Sequence, residues 1–239
     1  MDSLSFAQEQ VQKLTDIAER ESKQNQQNAH EHWLAAVALS SELLGPTNPQ
    51  TSYCIFNAGE ALTKARKAED AISLLRPHLR TMERIHGKSH YAVENIHQSL
   101  ARGYKSIGLN VSQLTHWLAA AQSAEKRRGI QNSTALYCYH NAARTYLALG
   151  FVDEALPLLV SVLSHSLAKG ERQIRLAYIA RDIANCLTLS KRYKDAIPFW
   201  QFAIKAFDSD PKKQWNVRQR AFASLQETQR LLQQETPAQ

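Results

Sequence analysis

The 239-residue chain has little of what marks a β-rich fold, a membrane span or a disulfide framework. Its 8 glycines are few, and alternating β-branched runs bounded by turn residues are absent, which argues against strands. Its longest uninterrupted apolar run, residues 33–39, is far shorter than the roughly 18 residues that a membrane span needs. Its 3 scattered cysteines are typical of buried thiols in a reducing compartment.

Sequence motifs for catalysis and metal binding are also missing. The chain has no glycine-rich phosphate loop, no G-x-S-x-G elbow and no H-E-x-x-H pair. The close histidine pairs, His30 with His32 and His86 with His90, lack cysteine or acidic partners at metal spacing. We therefore expect a protein that is not an enzyme and that uses no metal and no cofactor. The first residues lack a signal-peptide core, so the expected location is cytoplasmic.

What the sequence does contain is a long period. An alanine, once replaced by glutamine, occupies positions 29, 71, 113, 155 and 196, at steps of 42, 42, 42 and 41 residues. A fixed period of roughly 20 to 50 residues is typical of solenoids built from stacked repeats. Most solenoids present an extended surface that binds partners, so the period favours a binding function.

Other columns of residues follow the same period. Four residues after each of these five positions comes a large side chain, and twelve residues before each of the last four comes a small one. Each repeat therefore predicts a helix, a short turn and a second helix, with small residues where the two helices approach and large ones between them. The large column contains Trp33, Leu75, Trp117, Leu159 and Trp200, and the small column contains Gly59, Ala101, Ala143 and Ala184.

These columns resemble the tetratricopeptide repeat (TPR), and the match is clearest over residues 142–156. The longer period and the junctions at residues 44–49 and 85–93 resemble the repeats of kinesin light chain. The resemblance covers roughly residues 5–208. It implies an all-α, right-handed α-solenoid of about five helix pairs with a C-terminal capping helix. A HEAT-like repeat, with a period of about 40–47 residues, is the alternative, but the small-Tyr-Gly-Ala columns argue against it.

We expect a single TPR solenoid domain over residues 1–234, followed by a flexible tail over 235–239. Asp153 and Asp195 are predicted to be N-caps, which would place Pro157 and Pro198 in the first turns of their helices. In the capping helix, Trp215, Phe222 and Leu225 fall on one side. The predicted repeats cover residues 6–45, 50–87, 90–129, 132–170 and 172–208, and the predicted cap covers 212–233.

The resemblance implies that the first helix of each pair lines a concave groove. Helical spacing then gives the residues that face this groove, and they are polar, cationic and aromatic. Asparagine suits a peptide backbone, arginine suits carboxylates, and tyrosine provides contact area at low entropic cost. The predicted peptide-binding residues are Tyr53, Phe56, Asn57, Gln98, Arg102, Lys105, Tyr137, His140, Asn141, Arg144, Tyr178, Arg181 and Asn185.

The expected function is that of an adaptor or scaffold that binds a peptide segment of a partner protein, with acidic and apolar residues. Alternatives are a peptide-sensing regulator, a nucleic-acid-associated scaffold and self-assembly through the repeat edge or the final helix. The formal net charge of +7 raises the question of nucleic acid. Most basic clusters lie at predicted helix ends, where the helix dipole favours cations, and no nucleic-acid motif accompanies them. The oligomeric state and the identity of the partner stay open.

Overall fold

The computed structural model describes residues 3–24, 28–209 and 211–235, and these residues form eleven α-helices. The helices follow one another with short connections and no strand among the described residues. Residues 236–239 of the predicted tail lie outside the described part. The helices are α1 (Ser3–Lys23), α2 (Ala29–Leu44), α3 (Pro49–Lys64), α4 (Ala68–His86), α5 (Tyr91–Ser106), α6 (Asn110–Arg128), α7 (Ser133–Ala148), α8 (Val152–Ala168), α9 (Gln173–Leu189), α10 (Tyr193–Phe207) and α11 (Pro211–Glu235).

Consecutive helices pack as antiparallel pairs, which gives five pairs followed by α11. The chain divides into two compact units, unit 1 (Met1–Gly129) and unit 2 (Ile130–Gln239). Unit 1 contains the pairs α1/α2, α3/α4 and α5/α6, and its first helices α3 and α5 also touch each other. Unit 2 contains α7/α8 and α9/α10, and α11 packs against α10. The predicted helix pairs and the terminal helix are confirmed.

The repeated columns form the core of both units. Every member of the large column and of the small column is buried, as the pattern predicts. Gly59 shows why the second column is small, because a Cβ there would lie 2.7–3.0 Å from three side-chain atoms of Leu75. Helix α3 therefore approaches α4 more closely than an alanine would allow. All three cysteines are buried free thiols: Cys54, Cys138 and Cys186.

The turn inside four of the pairs repeats a single hydrogen-bonding pattern. In each, a backbone N–H donates to the carbonyl five residues earlier, as from Phe151 to Tyr146 at 2.9 Å. This is the Schellman motif, whose penultimate residue takes a left-handed conformation. Glycine occupies that position in two of the turns, but Arg66 (φ 62°) and Lys191 (φ 60°) occupy it in the others. The four N–H donors belong to Lys67, Leu109, Phe151 and Arg192.

The connections that follow α2, α4 and α6 use a second repeated geometry. Gly45, Gly87 and Gly129 each have φ near +80° and ψ near +160°, a region that is accessible almost only to glycine. Three residues later, a side chain caps the next helix by accepting the N–H of the residue two further on. Asn48 and Asn132 accept through Oδ1 at 2.9 Å, and His90 accepts through Nδ1 at 3.3 Å.

The predicted N-caps at Asp153 and Asp195 are wrong. Helix α8 already begins at Val152 and α10 at Tyr193, so both aspartates lie inside the first turn. Pro157 and Pro198 accordingly lie in the second turn of their helices. The physical reason is the Schellman turn, which ends one helix and starts the next without room for a side-chain cap.

Helix α11 buries a different face from the one that its sequence suggested. Ala221, Leu225 and Thr228 are buried, whereas the side chains of Trp215 and Phe222 are exposed, with 57% and 42% of the residue surface accessible. Leu225 therefore does not share a buried side with the two aromatic residues. The spacing of Ala221, Leu225 and Thr228, four and three residues apart, is the helical period of the packed face.

Candidate functional site

The predicted groove residues lie on the first helices of four pairs, and each of them is exposed or partly exposed. They are therefore available to a ligand within each unit. Seven of the thirteen line none of the three cavities described below, namely Gln98, Arg102, Lys105, Tyr137, His140, Asn141 and Tyr178. Helix α3 carries Tyr53, Phe56 and Asn57; α5 carries Gln98, Arg102 and Lys105; α7 carries Tyr137, His140, Asn141 and Arg144; and α9 carries Tyr178, Arg181 and Asn185.

In unit 1, the carboxylate of Glu60 joins α3 to α5. Glu60 Oε1 accepts hydrogen bonds from Ser99 Oγ at 2.5 Å and from Arg102 Nε at 3.1 Å. The guanidinium of Arg102 also lies 5.9 Å from the ring centroid of Trp117, within the range of a cation–π contact. The charge of Arg102 is thus neutralised by a residue of its own chain, which sequence analysis did not anticipate.

A cavity of about 430 Å³ lies in unit 1 beside α1, α2 and α3. Tyr53 forms part of its wall and donates a hydrogen bond from its hydroxyl to Glu19 Oε1 at 2.7 Å. Burial and this neighbouring carboxylate raise the pKa of Tyr53 to about 12. The charged side chains of the lining are two acidic and two basic ones. The lining residues are Glu19, Ser22, Lys23, Trp33, Tyr53, Asn57, Glu60, Ala61 and Lys64.

A smaller apolar cleft of about 90 Å³ lies between the starts of α3 and α5. Its walls include Tyr53, Phe56 and Ile96, together with Tyr91, whose ring is largely exposed. Such a cleft suits an aliphatic side chain, because aromatic walls provide apolar contact area on several sides. Phe56, which was predicted to face the groove, lines this cleft, and so does Tyr91, which the prediction did not include.

The two asparagines of the predicted groove make the same local contact in different units. Asn57 Nδ2 donates to the carbonyl of Tyr53 at 2.9 Å, and Asn141 Nδ2 donates to the carbonyl of Tyr137 at 2.8 Å. Each bond spans one helical turn and fixes the orientation of the amide. The amide oxygen, which is the acceptor of this side chain, then points away from the bonded carbonyl.

In unit 2, the carboxylate of Asp182 is the centre of a charged network. Its Oδ1 accepts hydrogen bonds from Arg181 Nε at 2.9 Å and Nη2 at 2.6 Å, and its Oδ2 accepts one from His140 Nε2 at 2.8 Å. Arg144 Nε lies farther away, at 3.5 Å from Oδ2. Burial raises the pKa of the Asp182 carboxyl, but His140 and Arg181 outweigh it and hold that pKa below its ordinary value. The carboxylate therefore stays charged.

A cavity of about 420 Å³ opens beside this network, between α7, α9, α10 and α11. The structure brings the predicted residues Arg144, Arg181 and Asn185 together on its wall. It adds Arg220 from α11, which sequence reasoning missed because that helix was interpreted only as a cap. The lining residues are Arg144, Leu147, Arg181, Asp182, Asn185, Trp200, Val217, Arg220, Ala221 and Ser224.

Unit 1 also contains buried ionisable side chains away from these cavities. Glu94 is buried and accepts hydrogen bonds from Arg127 Nη2 and from Arg128 Nη2. The Nδ1 atoms of His97 and His116 lie 2.8 Å apart, so one imidazole donates a hydrogen bond and the other accepts it. Burial, helped by the neighbouring positive charges, lowers the pKa of each imidazole to about 4. These histidines are neutral near pH 7.

Two further properties of the described residues bear on function. No group of three or more histidine, cysteine, aspartate or glutamate side chains in residues 3–24, 28–209 and 211–235 could hold a metal ion. In the same part of the chain, no helix combines the length and apolar character that crossing a membrane requires.

No protein-family model matches the chain, and no curated protein does either. Its fold is nevertheless shared with solved structures. A kinesin light chain from Podosopora anserina with nearly identical TPR-like repeats is 18% identical, with a TM-score of 0.73 over 84% of this chain and 97% of that chain. BtubC (BKLC) from P. vanneervenii is 13% identical, with a TM-score of 0.67 over 99% of this chain and 91% of that chain.

A third similar structure is a Rap protein complexed with Competence and Sporulation Factor. It is 15% identical, with a TM-score of 0.61 over 99% of this chain and 67% of that chain. At these identities the comparisons show the fold and nothing finer. They confirm the predicted all-α, TPR-like solenoid and its resemblance to kinesin-light-chain-like repeats.

Proposed function

We propose that this protein is a non-catalytic interaction scaffold that holds a peptide segment of a partner protein along the first helices of its repeats. The observation that carries the proposal is the set of partly exposed aromatic, asparagine and arginine side chains that these helices present around open cavities in a TPR-like fold. The similar Rap structure holds Competence and Sporulation Factor, so a fold of this kind is compatible with a bound partner.

The partner segment contains acidic and apolar residues. The aromatic cleft of unit 1 suits an apolar side chain, and the arginine-lined cavity of unit 2 suits an acidic one. Asn57, Asn141 and Asn185 are placed to bond a peptide backbone, since an amide side chain both donates and accepts. The protein acts without a cofactor, in the cytoplasm.

Nucleic acid is a weaker candidate, because several basic clusters are already paired within the chain. Arg127 and Arg128 bind Glu94, Arg192 binds Asp195, and Arg218 binds Asp208. Cations that are engaged in this way release fewer counterions on binding phosphates. A steep loss of affinity with rising salt would favour nucleic acid over a peptide partner.

Affinity capture from the native host, with matched variants of the bait, tests the proposal. Arg144→Glu and Asn141→Ala lie on the predicted groove, whereas Arg80→Glu lies on the exposed surface of the second helix α4. We expect Arg144→Glu to reduce capture of a partner at least about tenfold, because charge-assisted hydrogen bonds are lost, and Asn141→Ala to reduce it about fivefold, because neutral hydrogen bonds are lost. Arg80→Glu should leave capture unchanged. Equal capture by all folded variants would contradict the groove assignment.

A further inference from the structure

We propose that a basic cavity of unit 1 binds a phosphate monoester dianion, carried by a phosphorylated side chain of the partner. The cavity has a volume of about 360 Å³ and lies between the start of α2 and the turn that joins α3 to α4. The proposal rests on the proposed function and deepens it, because it names a chemical group of the partner. The lining residues are Asn28, His30, Glu31, Lys64, Ala65, Arg66 and Lys67.

The lining is positively charged and is not neutralised within the chain. It contains three cations, Lys64, Arg66 and Lys67, and one carboxylate, that of Glu31, which leaves two positive charges after subtraction. Among the described residues, none of these cations forms an ion pair with a carboxylate. Like charges that are held close together repel each other, so an anion in the cavity gains electrostatic energy and relieves this repulsion.

A buried imidazole holds the ammonium group of Lys67 in place. Lys67 Nζ lies 2.8 Å from Nε2 of His30, and only 5% of the surface of His30 is accessible. Because an ammonium group donates hydrogen bonds and accepts none, Nε2 is the acceptor and one of the three Nζ donors is used. A side chain that is already ordered loses less entropy when a ligand binds. His30 is thus a positioning residue for the cavity.

The turn between α9 and α10 has the same geometry but neutralises its own charge. Arg192 occupies the position of Lys67 in the Schellman motif of that turn. Its guanidinium binds Asp195, three residues later, at 2.7 Å. Lys67 is also followed after three residues by an aspartate, Asp70, but its ammonium contacts His30. The same basic turn is therefore paired internally in unit 2 and faces a cavity in unit 1.

Two helix dipoles add to the field of these cations. The lining includes the N-caps of two helices, Asn28 of α2 and Lys67 of α4, and neither side chain accepts a hydrogen bond from its own helix. The N-terminal end of a helix favours an anion and disfavours a cation. Lys67 therefore lies where a positive charge is unfavourable unless an anion is bound nearby.

The charge and polarity of the lining favour a phosphate monoester over other anions. A monoester carries about two negative charges at pH 7.5, which match the net charge of the cavity. A phosphodiester and a carboxylate carry one each and gain less from the same field. Among the described lining residues, Ala65 is the one apolar side chain, so a nucleobase or an acyl chain finds no apolar wall against which to pack.

The basic cavity shares a wall with the predicted groove. Lys64 lines both this cavity and the cavity of about 430 Å³ in unit 1, where Tyr53 and Asn57 belong to the predicted peptide-binding residues. A partner segment that occupies the larger cavity therefore lies next to the basic one. This continuity favours a phosphorylated side chain of the partner as the source of the phosphate group.

NMR titration at pH 7.5 tests the site without knowledge of the partner. The probes are sodium phosphate, the N-acetyl amide of phosphoserine, dimethyl phosphate and sodium acetate, each compared with sodium chloride at matched ionic strength. We expect phosphate and phosphoserine to shift the Arg66 Nε and the Lys67 amide resonances saturably. Dimethyl phosphate and acetate should bind about fivefold more weakly, because they carry one charge less. The amide resonances of Lys191 and Arg192 should respond no more than they do to chloride.

Variants change the charge of the cavity in both directions. Lys67→Gln should weaken phosphate binding about three- to fivefold, the range for an exposed ion pair, and Glu31→Gln should strengthen it by up to a similar factor. Arg192→Gln, at the same turn position in unit 2, should leave it unchanged. His30→Leu should weaken binding, whereas His30→Gln, which retains an acceptor for Lys67, should preserve most of it.

Four outcomes would contradict parts of this assignment. Arg66 and Lys67 resonances that respond no more than those of Lys191 and Arg192 would overturn the site. Equal binding of dimethyl phosphate would indicate a phosphodiester, from nucleic acid or a lipid headgroup, and overturn the monoester. Binding of inorganic phosphate without phosphoserine would overturn the side chain as its source. Unchanged partner capture by the groove variants, with the phosphoserine response intact, would instead overturn the proposed function and leave a phosphate site on the chain.

Discussion

The two units share one way of burying charge and differ in another. Each holds a buried carboxylate between two basic side chains: Glu94 with Arg127 and Arg128 in unit 1, and Asp182 with Arg181 and His140 in unit 2. Among the described residues, only unit 1 also has imidazoles whose pKa is lowered to about 4, because burial removes the water that would stabilise their positive charge. The difference indicates that unit 1 loses stability at a higher pH than unit 2 when the solution is acidified, although their helices follow the same repeat.

Three imidazoles of unit 1 with strongly lowered pKa values lie on three consecutive helices. Burial lowers the pKa of His78 on α4, His97 on α5 and His116 on α6 to about 4 each. Positive neighbours add to this effect, namely His116 and Lys88 around His97, and Arg76 near His116. His97 and His116 cannot both carry two protons at a separation of 2.8 Å, because two N–H groups would then face each other.

The largest expected effect is that unit 1 unfolds at a higher pH than unit 2 when the solution is acidified. A histidine whose folded pKa is lowered gives its full stability above its unfolded pKa of about 6.5 and loses it as the pH falls toward 4. The expected loss is on the order of 2–3 kcal/mol at pH 4 for each of His78 and His97. The pKa of Asp182 is lowered as well, so its contribution is lost only below the ordinary range of a carboxyl.

Residue-resolved amide NMR between pH 7.5 and pH 4.5 measures this difference. We expect the native signals of residues 68–128 to disappear at a higher pH than those of residues 133–207. His97→Gln, which retains a neutral hydrogen-bonding side chain, should lower the pH at which the native signals of unit 1 disappear. Simultaneous loss of both sets of signals would contradict the comparison.

The second-largest expected effect on stability comes from the buried carboxylate that each unit contains. Glu94→Gln removes the charge that binds Arg127 and Arg128, and Asp182→Asn removes the charge that binds Arg181 and His140. Hydrogen bonds to charged groups contribute roughly 1.5–3 kcal/mol, and the partial exposure of the arginines reduces the loss, so we expect about 1–2 kcal/mol in each unit. Urea denaturation at pH 7.5 measures it, with Glu227→Gln on the exposed surface of α11 as a control near zero.

The smallest expected effect comes from the turns, where the units are alike. Arg66 in unit 1 and Lys191 in unit 2 take the left-handed conformation that Gly108 and Gly150 take in the neighbouring repeats. Arg66→Gly and Lys191→Gly relieve a strain of about 1–2 kcal/mol, offset by the greater freedom of glycine in the unfolded chain. The expected net gain is about 0.5 kcal/mol each, visible as a small rise in Tm. Gly150→Ala should act in the opposite direction.

The fold could be predicted from the sequence because the same pattern of small and large residues recurs in successive helix pairs. The column that contains Trp117 returns in all five pairs and the column that contains Ala101 in four of them, so helix packing is specified several times over. The helix starts at Val152 and Tyr193 were less predictable, since the Schellman turn that sets them depends on a left-handed residue that is a glycine in one case and Lys191 in the other. The exposed faces of Trp215 and Phe222 depend on which neighbour α11 packs against, which a period ending at residue 208 does not specify.

The candidate site could be predicted only in part. Helical spacing predicted that Arg181 and Asn185 face the groove from one helix, because the spacing of residues on a single helix is local information. The repeat alignment gave Arg144 the position that Asn185 has one repeat later. The pairing of Arg102 with Glu60 and of His140 with Asp182 joins residues 42 positions apart. That separation is one repeat, so the signal was present in the alignment, but the chemistry of the pair depends on side-chain directions in three dimensions. Arg220 lay outside the aligned repeats altogether.

Each unit contains at least one buried cysteine, and the rate at which its thiol is modified can be used to measure how often that unit opens. Cys54 lies in unit 1, and Cys138 and Cys186 lie in unit 2. Burial raises the pKa of the Cys54 thiol, and it raises that of Cys186 to about 12, so neither reacts with a thiol reagent while its surroundings are closed. The rate at which each thiol is modified therefore reports how often its own unit opens. Alkylation followed by peptide mass spectrometry would measure the opening rates of the two units in one sample, without any added label.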